Sequence, residues 1–358
     1  MSRKLTTVRK IDNITKIENA DRVELCHIDG WRSVVLKDKF KIGEYVLFIE
    51  ADAAIMSIDD KRFEFLRKPS YKAIKSGDTV LAECLRVRTV RLAGQISQGI
   101  VMKLDDFRSD IDLADSLEVS LDDVLNIKHY DKLLDSFSHI LGKGAPIEQR
   151  GSFPSFVPKT DEERLQNLPE YFEEHKDTEF EVSVKYDGSS MSVGYSPTNF
   201  PDEPFFVCSR NFMLKTDNDN NFCRVAKKLN LKEILEKYYK FDGLELCIQG
   251  ELVGPKVNGN RDKHKEHNFY VFRIYDITNK IFLLPDQRWN LCQEHNIPHV
   301  PIVGKGDMFR FHETIDDFIE LTKFKSENGN QIEGLVFKSL DGETSFKVIN
   351  PDYLIRYG

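Results

Sequence analysis

Lys185 is the residue of this chain with the clearest potential for covalent chemistry, because it stands directly before Tyr186-Asp187-Gly188. A lysine becomes a nucleophile when desolvation or a neighbouring cation lowers its pKa, so further groups must converge on it. Four downstream segments supply candidates. Residues 249–255 and 332–338 each contain a Glu next to a Gly, residues 268–276 are rich in aromatic side chains, and residues 345–350 contain a further lysine. Taken singly, each segment is typical of a turn or a core strand.

The elements that position Lys185 are predicted from the alternation of residues around it. Apolar residues alternate with polar ones over residues 180–186 and again over 191–195, and Asp187-Gly188 between the two runs is a turn sequence. This pattern predicts a β-hairpin. Lys185 falls on the polar face beside the turn, where a concave site could hold it.

In this order, the segments resemble the nucleotidyltransferase motifs of covalent ATP-dependent polynucleotide ligases and mRNA capping enzymes. Lys185-Tyr186-Asp187-Gly188 is similar to the KxDG motif, whose lysine accepts the nucleotide. Ser209-Arg210-Asn211 resembles the next motif, whose arginine contacts the ribose or a phosphate. The resemblance covers residues 153–350.

The resemblance also implies roles for downstream residues. Glu251 stands where the family places a carboxylate near the ribose, and Phe272 stands where an aromatic ring stacks on adenine. Glu333 matches the carboxylate that organises the metal and its waters, and Lys347 matches a lysine on the α-phosphate. The implied site residues are Lys185 and Lys347 for catalysis; Asp187, Gly188, Arg164, Arg210, Glu251, Phe272 and Lys338 for ATP binding; and Glu333 and Asp187 for the metal.

The implied reaction has three steps. The Lys185 amine attacks the α-phosphate of ATP and lysyl-AMP forms as pyrophosphate leaves; AMP then passes to a 5'-phosphate of RNA, and a 3'-hydroxyl displaces it. Mg²⁺ or Mn²⁺ is the expected cofactor, because a hard divalent ion prefers carboxylate oxygens and neutralises charge on the phosphate. The implied partner is RNA with 3'-OH and 5'-phosphate ends, with nicked duplex RNA as the candidate substrate.

The ends of the chain separate the branches of this superfamily. DNA ligases and capping enzymes carry a C-terminal OB domain of roughly 100 residues after the last motif, whereas 11 residues follow Lys347. Residues 153–167 resemble the segment before the lysine in RNA ligases of the double-strand repair type. Residues 1–105 resemble the N-terminal OB domain of RNA ligase family five, so the chain is similar to an RNA ligase of that family.

Two positions depart from the family pattern. The last motif is KxK in many relatives, but Ser345 or Ile349 takes the place of the second lysine, so Lys347 is expected to act with Lys338 or alone. Some relatives have a glutamate before the nucleophile that helps to select adenine, where this chain has Val184. Adenine selection is then expected to rest on backbone groups or on other residues.

Composition and charge are those of an ordinary folded protein. The chain has 358 residues, of which 40% are hydrophobic and 31% charged, enough for two folded domains. The net charge is −8, but residues 1–105 carry 20 basic and 15 acidic side chains, whereas residues 106–181 carry 8 and 19. Acidity of the whole chain therefore does not exclude RNA.

The predicted fold class is α+β, because short turns join most of the predicted strands. We expect an OB-like, RNA-binding β-barrel over residues 1–105, an acidic helical linker over 106–152, and an adenylyltransferase domain of antiparallel sheets flanked by helices over 153–358. Helices are predicted over residues 120–134, from 160 onward and over 229–239, and glycines at 142 and 144 with Pro146 mark a linker.

The N-terminal region is predicted to be a small antiparallel barrel or sandwich from its short apolar runs, the last over residues 85–92. If those residues form one strand, Arg86 and Arg88 share a face. That face is either solvated or in contact with phosphates. Arg86, Arg88 and Arg91 are the candidates for gripping the RNA backbone.

The sequence also predicts the surroundings of the protein. No apolar run approaches the roughly 18 residues of a membrane helix, and the N-terminus lacks a secretory pattern. Six isolated cysteines indicate reduced thiols in a cytosolic or nuclear compartment. Histidines such as His299 are interpreted as surface residues rather than metal ligands, and a monomer is expected.

Two rival functions remain open. One is a different nucleotidyltransferase, either a DNA ligase or a capping enzyme, which the short segment after Lys347 disfavours. The other is an OB-type RNA-binding protein with an inactive transferase domain, which the presence of Lys185, Glu251 and Glu333 disfavours.

Overall fold

The structure is a computed structural model, and it describes residues 3–107, 119–137 and 148–358. Two compact units divide the chain: the described part of Met1–Pro146 together with Pro351–Gly358, and the described part of Ile147–Asn350. The linker predicted at residues 142–146 lies outside the described residues. Within the described ranges, no helix is long and apolar enough to cross a membrane.

The first unit is built mainly of strands, in four sheets with the orders β1-β5-β11, β12-β6-β8-β7, β2-β3-β4 and β10-β9. The strands are β1 (Thr6–Lys10), β2 (Asn13–Lys16), β3 (Val23–Ile28), β4 (Trp31–Leu36), β5 (Tyr45–Ile49), β6 (Ala53–Ile55), β7 (Tyr71–Ser76), β8 (Thr79–Arg86), β9 (Thr89–Leu92), β10 (Gln95–Gln98), β11 (Ile100–Lys103) and β12 (Ile127–His129). Its helices are α1 (Arg67–Ser70), α2 (Tyr130–Ser136) and the C-terminal α9 (Pro351–Tyr357), with 3-10 turns at Lys61–Leu66 and Leu104–Phe107.

Strand β5 is the centre of the first unit. Val46 and Phe48 pack into one apolar cluster and Leu47 and Ile49 into another, so both faces of the strand are buried. A strand covered on both faces must be apolar throughout, and this explains the unbroken apolar run at this point of the sequence. The N-terminal region is thus a small, mainly antiparallel β-structure, as predicted.

The arginine ridge predicted over residues 85–92 is wrong. Strand β8 ends at Arg86 and β9 begins at Thr89, and the two strands belong to different sheets. The Arg86 guanidinium lies 4.0 Å from the ring centroid of Tyr130, whereas Arg91 donates to the carboxylate of Asp352 in α9. Periodicity within one run could not reveal the break between the strands, because the residues on both sides of it favour β-structure.

The helix predicted over residues 120–134 is also wrong in its first half. Asp122 does not cap a helix; both of its carboxylate oxygens accept from the backbone N–H of Leu5. Ile127 begins a strand that pairs with Ile55, and a helix follows only at Tyr130. Tertiary pairing with β6 thus overrides the local capping signal.

The second unit contains two sheets, with the orders β13-β18-β17-β16-β19-β20-β21 and β14-β24-β23-β15-β22. Its strands are β13 (Gln149–Ser152), β14 (Glu163–Arg164), β15 (Phe180–Lys185), β16 (Ser189–Tyr195), β17 (Phe205–Cys208), β18 (Phe212–Leu214), β19 (Leu246–Val253), β20 (Asn268–Asp276), β21 (Ile281–Phe282), β22 (Ile302–Gly306), β23 (Gly334–Ser339) and β24 (Ser345–Ile349). Its helices are α3 (Tyr171–Glu174), α4 (Asn221–Lys228), α5 (Leu231–Asp242), α6 (Pro285–Glu294), α7 (Met308–Phe311) and α8 (Ile315–Glu320), with 3-10 turns at Leu165–Asn167 and Asn258–Asn260.

The hairpin predicted around Asp187-Gly188 does not form, although both of its strands exist. Strand β15 pairs with β22 and β23 in the five-stranded sheet, and β16 pairs with β17 and β19 in the seven-stranded sheet. The chain therefore crosses from one sheet to the other directly after Lys185. The alternation correctly indicates two strands, but it does not say which strand is the partner of each.

Two further helix predictions have different outcomes. The start predicted at Thr160 is wrong, because Glu163 and Arg164 form strand β14, which pairs in parallel with β24. The helix predicted over residues 229–239 is confirmed as α5, Leu231–Asp242. It ends at Gly243 in the left-handed conformation, with φ of 67°, as helices commonly do.

Candidate active site

Lys185 lies at the end of β15 and forms an ion pair with Glu333. Its Nζ lies 2.8 Å from both carboxylate oxygens of Glu333. The pairing of strands explains this contact: Lys185 is opposite Gly334 in the ladder between β15 and β23, and Glu333 directly precedes that strand. Two residues 148 apart in sequence are thus brought together by the sheet.

The carboxylates around Lys185 hold its amine in the protonated form. Burial by itself lowers the pKa of Lys185, but the negative charges of Glu333 and Glu251, the hydrogen bond to Glu333 and the charge of Asp187 outweigh burial and raise the pKa above its usual range. An ammonium ion has no lone pair with which to attack phosphorus. The Lys185 amine must therefore lose a proton before it can act as a nucleophile.

Glu251 is the second carboxylate of the cluster. Burial and the nearby negative charge of Glu333 raise the pKa of Glu251, and the positive charge of Lys185 lowers it. The net result is a pKa of about 8. One oxygen of Glu251 accepts from the backbone N–H of Gly188 at 3.0 Å. Burial likewise raises the pKa of Glu333, so both carboxylates would be stabilised as anions by an added cation.

Glycines allow the strands to approach closely around this cluster. A Cβ on Gly188 would lie 2.3 Å from the carbonyl oxygen of Leu252, and one on Gly334 would lie 2.2 Å from that of Val348. Real Cβ atoms do not come so close to backbone oxygens, so any side chain at these positions must displace a strand. The glycine that follows Asp187 is therefore required by sheet packing.

Substitution of Gly188 by alanine is predicted to reduce adenylylation about 10- to 100-fold and to destabilise the fold by about 1–3 kcal/mol, as for other overpacked sites. The added methyl group pushes β16 away from β19 and moves the backbone N–H of residue 188, from which Glu251 accepts a hydrogen bond. Single-turnover formation of labelled enzyme–AMP and thermal melting measure the two effects. Gly151→Ala is the matched control, because its Cβ would make an ordinary contact at 3.7 Å. Equal activity of both variants would contradict the prediction.

Asp187 is held by the loop that contains Asn258-Gly259-Asn260, a segment that the sequence predicts to be a turn and that borders the nucleotide in the family it resembles. Asn258 Nδ2 donates to its Oδ1, and Arg261 Nη1 donates to its Oδ2 at 2.5 Å. The Asn258-Gly259-Asn260 sequence signals a tight turn, but nothing in the spacing of Arg261 indicates its partner. A contact between residues 74 apart depends on the tertiary fold.

Phe272 and Lys338 lie together, away from the Lys185–Glu333 pair along the strands. Lys338 Nζ donates to the Phe272 carbonyl at 3.1 Å and lies 5.5 Å from the centroid of its ring. Phe272 is the extra residue of a β-bulge, since Gln249 pairs with Arg273 and the next residue, Gly250, with Val271. Burial, with the charges of two nearby arginines, lowers the pKa of Lys338 to about 7.

Lys347 and Arg164 are neighbours across the parallel pair β14–β24. Lys347 also pairs with Val336 of β23, and its charge lowers the pKa of Glu333 in opposition to burial. Arg164 is buried. The predicted cation of the last motif thus lies beside the Glu333 carboxylate.

Ser345 and Arg210 lie at the margins of the predicted site. Ser345, at a position considered for the second lysine of the last motif, accepts a hydrogen bond from Arg273 Nη2 at 2.9 Å. Arg273 was not predicted, because a lone arginine in an aromatic strand has no distinctive spacing. Arg210 lies between β17 and β18, is 42% exposed, and pairs with Asp161 at 3.4 Å.

Residues 298–301 connect the two sheets next to the nucleophile. The N–H of Val271 in β20 donates to the Pro298 carbonyl at 2.9 Å, and the N–H of Val300 donates back to Val271 at 3.0 Å. On the other side, the N–H of Val184 donates to the Pro301 carbonyl at 2.9 Å. The backbone immediately before Lys185 is therefore fixed to both sheets.

A buried ion pair stabilises this connection. Arg288 donates to Glu181, with both side chains 2% exposed, and its Nε donates to His299 Nε2 at 2.8 Å. His299 Nδ1 then donates to the Val300 carbonyl, and burial with the nearby Arg288 charge lowers the pKa of His299 to about 3. The surface interpretation of His299 is therefore wrong: it is a buried, neutral histidine.

The site suits a divalent ion that keeps its water shell. Among the residues that the structure describes, no three His, Cys, Asp or Glu side chains converge closely enough to hold a metal directly. The partly buried carboxylates Glu251 and Glu333 have raised pKa values, which a further cation would lower towards the usual range. Mg²⁺ usually retains several waters and is held by few carboxylates, so the residues fit such an ion.

Comparisons with known proteins agree with this arrangement. The model of the RNA ligase family matches residues 178–349, and a model of an OB-fold domain matches residues 5–104. Solved structures of Naegleria gruberi RNA ligase cover 99% of the chain: the ligase with PPi has a TM-score of 0.85 at 34% identity over 99% of its own chain. A mutant of that ligase with ATP and Mn has 0.83 at 35%, and another with AMP and Mn has 0.85 at 34%, each over 99% of its chain. No curated protein matches the chain.

Proposed function

Because the chain belongs to the RNA ligase family and is an ATP-dependent RNA ligase that uses a divalent metal, we propose that Lys185 is the residue that accepts AMP. The observation that carries this proposal is the Lys185–Glu333 ion pair at the crossing between the two sheets, with Glu251 beside it. The amine lies 2.8 Å from both oxygens of this partly buried carboxylate.

The proposed first step is controlled by the protonation of Lys185. Glu333 positions the ammonium group through two hydrogen bonds, and the amine must lose a proton before it attacks the α-phosphate of ATP. When bound, Mg²⁺ or Mn²⁺ supplies positive charge that offsets the carboxylates and the charge on the phosphate oxygens. Glu333 and Asp187 are the residues proposed to hold its water shell.

The remaining site residues are proposed to bind and orient ATP. Phe272 is positioned by the β-bulge to stack on adenine, and Glu251 would contact the ribose. Lys347, next to Glu333, would place positive charge at the α-phosphate, where charge grows in the transition state. The remaining ATP-binding residues are proposed to be Asp187, Gly188, Arg164, Arg210 and Lys338.

Lys338 is a poor candidate for partnering Lys347 on phosphate at neutral pH. Burial lowers its pKa to about 7, and its Nζ already donates to the Phe272 carbonyl. We therefore propose that Lys338 fixes the backbone under the adenine ring, and that Lys347 carries the α-phosphate alone.

The RNA substrate of this ligase is proposed to have 3'-OH and 5'-phosphate ends within a nicked duplex, and the OB-like region over residues 1–105 to grip its backbone. Arg88 and, once released from Asp352, Arg91 are better placed for phosphate than Arg86, whose guanidinium is stacked on Tyr130. Contacts of this kind add to affinity without selecting sequence.

A panel of substrates tests the proposed substrate. We expect nicked duplex RNA to be sealed at least about tenfold faster than the same strands without a complementary strand, because the complement keeps the two ends adjacent. Sealing is measured with a 5'-labelled strand, with RNA or DNA on each side of the nick, and Lys185→Met protein is the blank. Equal rates on single strands would contradict the nicked-duplex substrate while leaving the ligase function intact.

A reduced intracellular compartment, cytosol or nucleus, and a monomeric state are also proposed. All six cysteines are unpaired, and five of them are buried, which suits a compartment that keeps thiols reduced. Light scattering during size exclusion measures the oligomeric state, and a mass twice that of the 41.5 kDa chain would contradict the monomer.

A further inference from the structure

Asp187 is bonded through both oxygens to a single loop, residues 254–267, between β19 and β20. Asn258 donates to one oxygen and Arg261 to the other. The Asp187 side chain is 13% exposed and that of Arg261 is 30% exposed, so the ion pair lies at the edge of the site with room for Arg261 to move. The carboxylate two residues after the nucleophile is therefore already neutralised by a guanidinium.

The loop holds Arg261 in place by contacts of its own. Asp262, the next residue, accepts from Asn328 Nδ2 at 3.2 Å, and its carbonyl accepts from Asn330 Nδ2 at 3.0 Å. Within the loop, His264 N–H donates to Asn260 Oδ1 at 2.9 Å. The residue next to Arg261 is thus anchored through its side chain and its carbonyl, while the Arg261 side chain is partly exposed.

A divalent ion and a guanidinium compete for the same carboxylate. A metal ion and the Arg261 guanidinium, both positive, repel each other at one carboxylate, and the hydrogen bonds from Asn258 and Arg261 leave Asp187 fewer lone pairs for the water shell of a metal. An arginine beside an α-phosphate site has an alternative partner, since its planar donors match phosphate oxygens. When metal and triphosphate bind together, the metal can take Asp187 as its partner while the triphosphate takes Arg261. Metal that binds alone must break the Arg261–Asp187 ion pair without offering Arg261 a new partner.

From this geometry we propose that Arg261 guards Asp187 against metal in the nucleotide-free enzyme and makes metal binding depend on ATP. The inference rests on the proposed role of Asp187 in holding the metal's water shell. Arg261 is a positioning residue: it sets the availability of a carboxylate and takes no part in bond formation. Its loss should strengthen the binding of metal alone and weaken the binding of ATP, two effects of opposite sign that general damage to the loop would not produce.

Equilibrium binding of Mn²⁺ to the nucleotide-free protein tests the proposal, with free Mn²⁺ measured by electron paramagnetic resonance. Arg261→Met is expected to bind Mn²⁺ about tenfold more tightly than the unmodified protein, within the usual range of coupling between sites. ATP should tighten Mn²⁺ binding by a smaller factor in this variant than in the unmodified protein. Arg261→Lys, which retains the charge, is expected to restore both values to within about threefold. Unchanged or weaker Mn²⁺ binding by Arg261→Met would overturn the proposal.

Two further variants separate this inference from the proposed function. Asp187→Asn should abolish the gain in Mn²⁺ affinity caused by Arg261→Met when the two are combined, because the guarded carboxylate is gone. If the combined variant keeps that gain, the guarding role fails, whereas labelling of the unmodified protein by ATP still establishes the ligase chemistry. If Arg261→Met melts at a lower temperature, Arg261→Gln provides the same loss of charge with a donor retained, and the same gain in Mn²⁺ affinity is required.

Discussion

Replacing Lys185 with methionine lowers the rate of enzyme–AMP formation at least about 10,000-fold, the scale seen when a covalent nucleophile is removed. Methionine has a similar length and no amine, so the apolar contacts of the side chain are retained while the phosphorus–nitrogen bond cannot form. The same variant is expected to seal RNA that already carries AMP on its 5'-phosphate, because the sealing step needs a 3'-hydroxyl as the nucleophile and no lysine.

The two activities are measured separately in the same protein preparation. Labelled ATP and Mn²⁺ followed by denaturing electrophoresis report enzyme–AMP, and a pre-adenylylated nicked duplex reports sealing. Lys323→Met is the matched control, because Lys323 pairs with a glutamate on the surface, at Glu320, with 44% of its side chain exposed. Equal loss of both activities in Lys185→Met, with the fold intact, would show that Lys185 has a structural role.

Replacing Glu333 with glutamine is expected to slow enzyme–AMP formation at least about 100-fold, although one consequence of the change acts in the opposite direction. Removing the carboxylate lowers the pKa of Lys185, since Glu333 raises it, and a lower pKa gives more free amine. The loss of an anchor for the metal's water shell costs more, because metal-ion stabilisation of a phosphoryl transition state contributes several kcal/mol. The slower reaction is therefore the net result.

The pH dependence separates the two consequences of Glu333→Gln. In the unmodified protein, the rate at subsaturating metal should rise about tenfold per pH unit through neutral pH, because the pKa of Lys185 is raised and only the free amine reacts. In Glu333→Gln the rise should end at a lower pH. Glu320→Gln, on an exposed carboxylate, is the control. A variant as active as the unmodified protein, with the same pH profile, would contradict the role of Glu333.

The site residues are implied by short motifs that keep a fixed order in the sequence, and the structure brings Lys185, Glu251 and Glu333 of these motifs together. The alternation around Lys185 placed it on the polar face of a strand, and the structure has Phe180 and Val184 in the core beneath it. The sheets, however, were not predictable in this way. Local alternation indicates a strand but not its partner, and β15 and β16 belong to different sheets.

The contacts missed by the sequence analysis are all between residues far apart in the chain. Arg261 reaches Asp187 and Arg288 reaches Glu181 across 74 and 107 positions, and neither arginine has a neighbour that marks it. The incorrect helix prediction at residues 120–134 has the same origin: Asp122 finds a backbone donor at Leu5 instead of a local cap. The contacts at such positions depend on tertiary partners, which a local sequence pattern does not reveal.

Mapping the site of covalent adenylate by mass spectrometry tests the central claim most directly. The protein is incubated with ATP and Mn²⁺, its intact mass is measured, and the modified peptide is fragmented under conditions that preserve a phosphoramidate. We predict a single added AMP on the side chain of Lys185, absent in Lys185→Met and present in Lys323→Met. The absence of any adduct on active protein, or AMP on another residue, would contradict the account.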